Sequence, residues 1–122
     1  MKVLVVDDSR FMRNVVKSYF DEMGKKVDYL EADNGKDALK IVTSETIDLV
    51  LLDWNMPRMT GIDFLKEVRA IAALKTLPIV MVTSESSKLN VVEAIKEGAT
   101  DYILKPIDGF IFKEKMTEIF EE

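Results

Sequence analysis

Residues 49–57 read LVLLDWNMP. Four apolar residues run without interruption and stop at Asp53. A strand with one wet face alternates apolar and polar residues. An unbroken apolar run instead implies a strand covered on both faces, as in a parallel sheet. Working outward, residues 2–8 read KVLVVDD, so that Lys2–Val6 stops at Asp7 and Asp8. Ile79–Val82 is a third such run and stops at Thr83. Tyr102–Leu104 stops at Lys105, while Val27–Ala32 mixes in Asp28 and Glu31, which suits an edge strand.

Between these runs lie helical patterns. Phe11, Met12, Val15, Val16, Tyr19, Phe20 and Met23 form an apolar stripe at helical spacing, with Ser9 as N-cap and Gly24 as stop. Ala38, Leu39 and Val42 mark a second helix, opened by Asp33-Asn34-Gly35. Phe64, Leu65, Val68, Ile71 and Ala72 mark a third, after Thr60-Gly61. Val91, Val92 and Ile95 mark a fourth, closed by Gly98. Phe112, Met116, Ile119 and Phe120 mark a fifth, capped by Asp108 and reaching almost to Glu122. Strict alternation of five strands and five helices predicts an α/β fold: a doubly wound, flavodoxin-like (βα)5 parallel sheet. The common strand order at this size is 2-1-3-4-5. The expected organisation is a single domain over 1–122, with no output domain.

Composition narrows the chemistry. The 122 residues hold no Cys and no His, so disulfides, thiolate sites, His-zinc sites and Ser-His-Asp triads are excluded. The net charge is −5 and no basic block stands out, which argues against nucleic acid. No apolar run is long enough to span a bilayer and no signal peptide opens the chain, so a cytoplasmic protein without a membrane partner is expected. Carboxylates, hydroxyls, amides and lysines remain.

In a doubly wound sheet, ligands bind at the carboxyl ends of the strands, near the switch in strand order. Asp7, Asp8, Asp53, Thr83 and Lys105 all fall at such ends. Each has an ordinary reading by itself, as a loop acid, a helix cap or a turn; their conjunction on successive strand ends does not. Three carboxylates brought together repel, at about 4 kcal/mol per pair for a separation near 4 Å and an effective dielectric of about 20. A hard divalent cation offsets that, and Mg²⁺ suits a site of few carboxylates. Lys105 adds a fixed positive charge opposite Asp53. The same set suits phosphoryl transfer, with Asp53 as a carboxylate nucleophile and Thr83 and Lys105 binding phosphoryl oxygens.

The spacing of Asp7-Asp8, Asp53-Trp54-Asn55-Met56-Pro57, Met59-Thr60-Gly61, Thr83 and Lys105-Pro106 resembles that of bacterial two-component response-regulator receiver domains, over essentially the whole chain. Trp54, Leu77-Pro78, Glu85, Tyr102 and the ending Lys115…Ile119-Phe120-Glu121 are similar to the chemotaxis regulators of that family. The resemblance implies that Asp53 takes a phosphoryl group from a histidine kinase. It implies Mg²⁺ bound by Asp8, Asp53 and the Asn55 backbone carbonyl, with Asp7 acting through water. It implies phosphate binding by Lys105, through a bond to Pro106 that is often cis, and by Thr83 with its neighbour Ser84. Thr83 and Tyr102 would be the switch, and Asn55 and Glu85 would tune dephosphorylation toward a short-lived phosphorylated state.

The output face implied is Lys88, Tyr102 and Lys115, on a monomer whose further partners are a flagellar motor switch protein or a phosphatase. Ser84, Ile107 and Glu118 depart from the chemotaxis pattern and bear on partner choice. Two other roles keep this fold: a phosphorelay intermediate, or the receiver of a larger regulator. A haloacid-dehalogenase-type phosphatase needs a second acid two residues after the nucleophile, where this chain has Asn55. An FMN protein is disfavoured because the loop after the first strand is acidic.

Overall fold

The computed structural model describes residues 1–120; the sequence expectation for Glu121 and Glu122 lies outside the described residues. Those residues form five strands, five α-helices and one 3₁₀ turn. The strands are β1 (Lys2–Val6), β2 (Asp28–Ala32), β3 (Leu49–Leu52), β4 (Ile79–Thr83) and β5 (Asp101–Leu104). The helices are α1 (Arg10–Glu22), α2 (Gly35–Ser44), α3 (Gly61–Arg69), α4 (Lys88–Lys96) and α5 (Gly109–Phe120). All strand pairs are parallel and the order is β2-β1-β3-β4-β5, as expected from the sequence.

Side chains alternate across each strand, so the apolar runs feed two cores. Leu4, Val6, Val50, Leu52, Ile79 and Met81 point to the face covered by α2, α3 and α4, against Ala38, Val42, Phe64, Leu65, Val68 and Ala94. Val3, Val5, Leu49, Leu51, Val80, Val82 and Ile103 point to the other face, against Val16 and Phe20 of α1 and Phe112 and Met116 of α5. Phe20 and Phe112 meet edge to face at 5.2 Å, which fixes α1 against α5. No helix among the described residues is long and apolar enough to cross a membrane.

The helix starts follow their capping residues. Ser9 Oγ accepts from the Met12 N–H, Asn34 Oδ1 from Asp37, Thr60 Oγ1 from Asp63, and Asp108 Oδ1 from Phe110 and Ile111. Gly24 follows α1 at φ 69°, the left-handed conformation that a Cβ disfavours.

Three sequence expectations need correction. Phe11 belongs to the helical stripe by spacing, yet it is 74% exposed, because it sits in the first turn, beyond the edge of the core. The third helix ends at Arg69, and Ala72–Leu74 form a separate 3₁₀ turn, so neither Ile71 nor Ala72 belongs to the α-helix. In α4 the buried residue is Ala94, whereas Val92 and Ile95 are exposed. The helix lies close to the sheet on its smallest side chain and turns its larger apolar ones outward.

Candidate metal and phosphoryl site

Parallel pairing in register brings the ends of β1 and β3 side by side, with Val6 opposite Leu52. The next residues on each strand are Asp7 and Asp53. The Asp53 N–H bonds to the Val6 carbonyl at 2.9 Å, which carries the ladder one step past the strands and holds the two acids together. Both are buried, while Asp8 is exposed at the mouth. One carboxylate oxygen from each of Asp7, Asp8 and Asp53 lies within 4.8 Å of the others.

Lys105 reaches in from the end of β5, across a cis bond to Pro106. Its Nζ lies 2.7 Å from Asp7 Oδ2 and 3.4 Å from Asp53 Oδ2. The ammonium therefore bridges two acids and is closer to Asp7, where the sequence placed it opposite Asp53. Burial works against its charge, but the two carboxylates outweigh burial and its pKa lies above the ordinary lysine value. Burial likewise pushes the Asp53 carboxyl up, with help from the Asp7 charge; the Thr83 hydroxyl and Lys105 oppose the rise without cancelling it. Three carboxylates facing one ammonium leave net negative charge in a partly dry place. All donors are hard oxygens, so the set fits a divalent cation of the oxygen-seeking class.

The rim is completed by the β4–α4 loop. Thr83 is fully buried at the end of β4, and its Oγ1 accepts from the Glu85 N–H at 3.3 Å. Ser84 next to it is exposed. Glu85 Oε1 accepts from Asn55 Nδ2 at 2.8 Å, so the two residues expected to act together are in contact. Tyr102 is half-buried, and its hydroxyl donates to the Glu85 carbonyl at 2.6 Å. Burial first, then the charges of Glu85 and Asp53, raise its phenol pKa. Of the expected output face, Lys88 is exposed, Tyr102 is turned inward, and Lys115 is engaged with Asp101 at 2.8 Å.

Sequence reading assigned no role at the site to three contributors. Arg13 Nη1 donates to the Asp7 carbonyl at 2.5 Å, while its Nε pairs with Glu31 at 2.8 Å. Its place in the first turn of α1, six residues after Asp7, was a readable signal. Gly61 starts α3 against the backbone just past Asp53; a Cβ there would collide with the Asp53 carbonyl and stand 3.0 Å from Trp54 Cα. Asn90 donates to Glu85 Oε2 at 3.2 Å, and that pairing depends on the loop path, which carries no periodic signal.

The family described as the response regulator receiver domain matches residues 3–117. Chemotaxis protein CheY of Pseudomonas aeruginosa is 43% identical over 121 residues, covering 99% of this chain and 97% of that protein. Chemotaxis protein CheY-3 of Vibrio cholerae is also 43% identical, covering 99% and 92%. Among solved structures, chemotaxis response regulator CheY4 of Vibrio cholerae aligns with a TM-score of 0.85 at 34% identity, covering 98% of each chain. The Francisella response regulator 1452 receiver domain aligns at 0.86 and 30%, covering 98% and 96%. With its acidic cluster on the switch-point edge of a 2-1-3-4-5 sheet, the chain belongs to the response regulator receiver family and is of the CheY type.

Proposed function

We propose that this receiver accepts a phosphoryl group on Asp53 from the phosphohistidine of a sensor kinase. The observation that carries the reading is the convergence of Asp7, Asp8 and Asp53 within 4.8 Å, with the Lys105 ammonium against two of them. A carboxylate oxygen of Asp53 attacks phosphorus; the P–N bond breaks and the imidazole leaves with the electron pair. Lys105 is placed to exchange part of its contact with Asp7 for a phosphoryl oxygen. The Thr83 hydroxyl faces the same position, and Ser84 offers a second hydroxyl and an N–H at the mouth. Mg²⁺, held by Asp8, Asp53 and the Asn55 carbonyl with Asp7 through water, would neutralise the charge on the transferring group.

Signalling then follows from the rim. Thr83, Glu85 and Tyr102 form one hydrogen-bonded chain, so a new partner for the Thr83 hydroxyl biases the Tyr102 position and the start of α4. The surface of α4, β5 and α5 exposes Lys88, Leu89, Val92, Ile95, Leu104 and Ile111, which suits recognition by another protein. The role is a cytoplasmic chemotaxis switch that acts by binding, promotes its own phosphorylation and dephosphorylation, and turns over no separate substrate. Asn55 and Glu85 tune the lifetime of the acyl phosphate.

The test uses acetyl phosphate or beryllofluoride with Mg²⁺, read through Trp54, the one tryptophan and the neighbour of Asp53. The wild-type protein should respond to metal and again to the phosphoryl donor. Asp53→Asn should abolish the second response, and Lys105→Ala should weaken it. A full response from Asp53→Asn would overturn the reading.

A further inference from the structure

Glu85 is gripped from four directions. Its N–H reaches Thr83 Oγ1 at 3.3 Å and its carbonyl accepts from the Tyr102 hydroxyl at 2.6 Å. Its two carboxylate oxygens are taken separately, Oε1 by Asn55 at 2.8 Å and Oε2 by Asn90 at 3.2 Å. Asn55 stands on the loop leaving Asp53, and Asn90 stands in the first turn of α4. The carboxylate is thus held by two uncharged amides that come from different segments of the chain. Each oxygen keeps a free lone-pair direction. Ser87, at the start of α4, makes no side-chain cap, so on that side the Asn90 amide is the side-chain partner that Glu85 has among the described residues.

We propose that Asn90 is a positioning residue for hydrolysis of the Asp53 acyl phosphate, acting through Glu85; the inference rests on Asp53 being the phosphoacceptor. Hydrolysis joins a water oxygen to phosphorus and breaks the bond from phosphorus to the Asp53 oxygen. Asp53 recovers its carboxylate and both water protons leave on inorganic phosphate. A carboxylate fixed at the rim can accept one water O–H and so aim the oxygen at phosphorus. With one amide removed, Glu85 hangs from Asn55 alone, and it samples the solvent rotamers that the exposed loop allows. Orientation of the attacking water is lost, and the rate falls.

The experiment labels the full chain with acetyl phosphate and Mg²⁺, removes the donor, and follows loss of the acyl phosphate. Asn90→Ala is a favourable change for a helix, so folding is preserved. Labelling of Asn90→Ala should proceed within about twofold of wild type, while hydrolysis slows about three- to tenfold. In a Glu85→Ala background the same substitution should change the rate no further, because its route is gone. Asn90→Gln, which keeps the amide, should recover most of the rate.

A second readout needs neither metal nor phosphate: Glu85→Ala should shift the side-chain amide NMR signals of both Asn55 and Asn90. Normal labelling with unchanged hydrolysis in Asn90→Ala would overturn this inference alone. So would a full slowing that persists without Glu85, or an Asn90 amide signal that ignores Glu85→Ala. Failure of the wild-type chain to label at all would overturn the phosphoacceptor reading, and this inference with it.

Discussion

Helices α3 and α4 are each nine residues long and each follows a strand that delivers a functional side chain, yet they are built in opposite ways. Helix α3 buries Gly61, Phe64, Leu65 and Val68; α4 buries only Ala94 and exposes Leu89, Val92 and Ile95. The start of α3 has a Thr60 side-chain cap and presses Gly61 onto the Asp53 carbonyl, whereas the start of α4 has no side-chain cap and is tied to the site through Glu85 and Asn90. The difference teaches a division of labour. The proposed phosphoacceptor Asp53 sits on a firmly packed support, and the Thr83 hydroxyl proposed to sense its phosphorylation leads into an element held by few contacts. A small change in hydrogen bonding can shift the second without disturbing the first.

Truncating the supports should break or confirm that contrast. Phe64→Ala empties a fully buried site and should cost about 3–5 kcal/mol in urea unfolding. Ile95→Ala removes a half-exposed side chain and should cost less than about 1 kcal/mol. Equal costs would show that α4 is anchored as firmly as α3. Native-state amide exchange gives the same comparison without mutation: α4 should exchange by local opening, α3 only near global unfolding.

The next effect concerns the charge that the firm side carries. Burial raises the Asp53 pKa, so the folded chain holds this proton more tightly than the unfolded chain does. The associated stability is fully present below the ordinary carboxylate value of 3.8 and is lost as pH rises through the raised folded value. Asp53→Asn should therefore stabilise the metal-free protein at neutral pH, read as a higher urea midpoint, and the gain should vanish in acid. Protons and a divalent ion compete for the same oxygens. Metal affinity should fall with decreasing pH from above the ordinary carboxylate range, as titrated through Trp54.

The smallest effect tests local strain beside α3. Arg58 has φ 71°, which a side chain disfavours, in the loop between Asp53 and Gly61. Arg58→Gly should stabilise by about 0.5–1 kcal/mol, measured by thermal unfolding, and leave α4 exchange unchanged.

Much of this molecule was legible from periodicity. LVLLD and KVLVVDD required strands covered on both faces, and parallel strands with helical crossovers then admit few topologies. Asp7, Asp53, Thr83 and Lys105 could be placed at the functional edge because each ends such a run. Helix α4 was found, but its buried residue was not legible, because periodicity reports that a helix has an apolar side, not whether that side meets the sheet or the solvent. Tyr102, Lys105 and Lys115 show the same limit. Each was a known charge or ring at a known strand or helix position, but which partner it chose among several depended on rotamer and loop path.

Residue order alone therefore determined the fold class and the set of side chains gathered at one edge, since these follow from unbroken apolar runs that end in polar residues and from the 3.6-residue stripes between them, and the strand order is the common one for that alternation. Tertiary structure decided that Lys105 sits closer to Asp7 than to Asp53, that Tyr102 is turned onto the Glu85 carbonyl, and that Asn90 completes the grip on Glu85. Those pairings join residues far apart along the chain or across an irregular loop, where distance and direction are set by packing and no sequence period reaches.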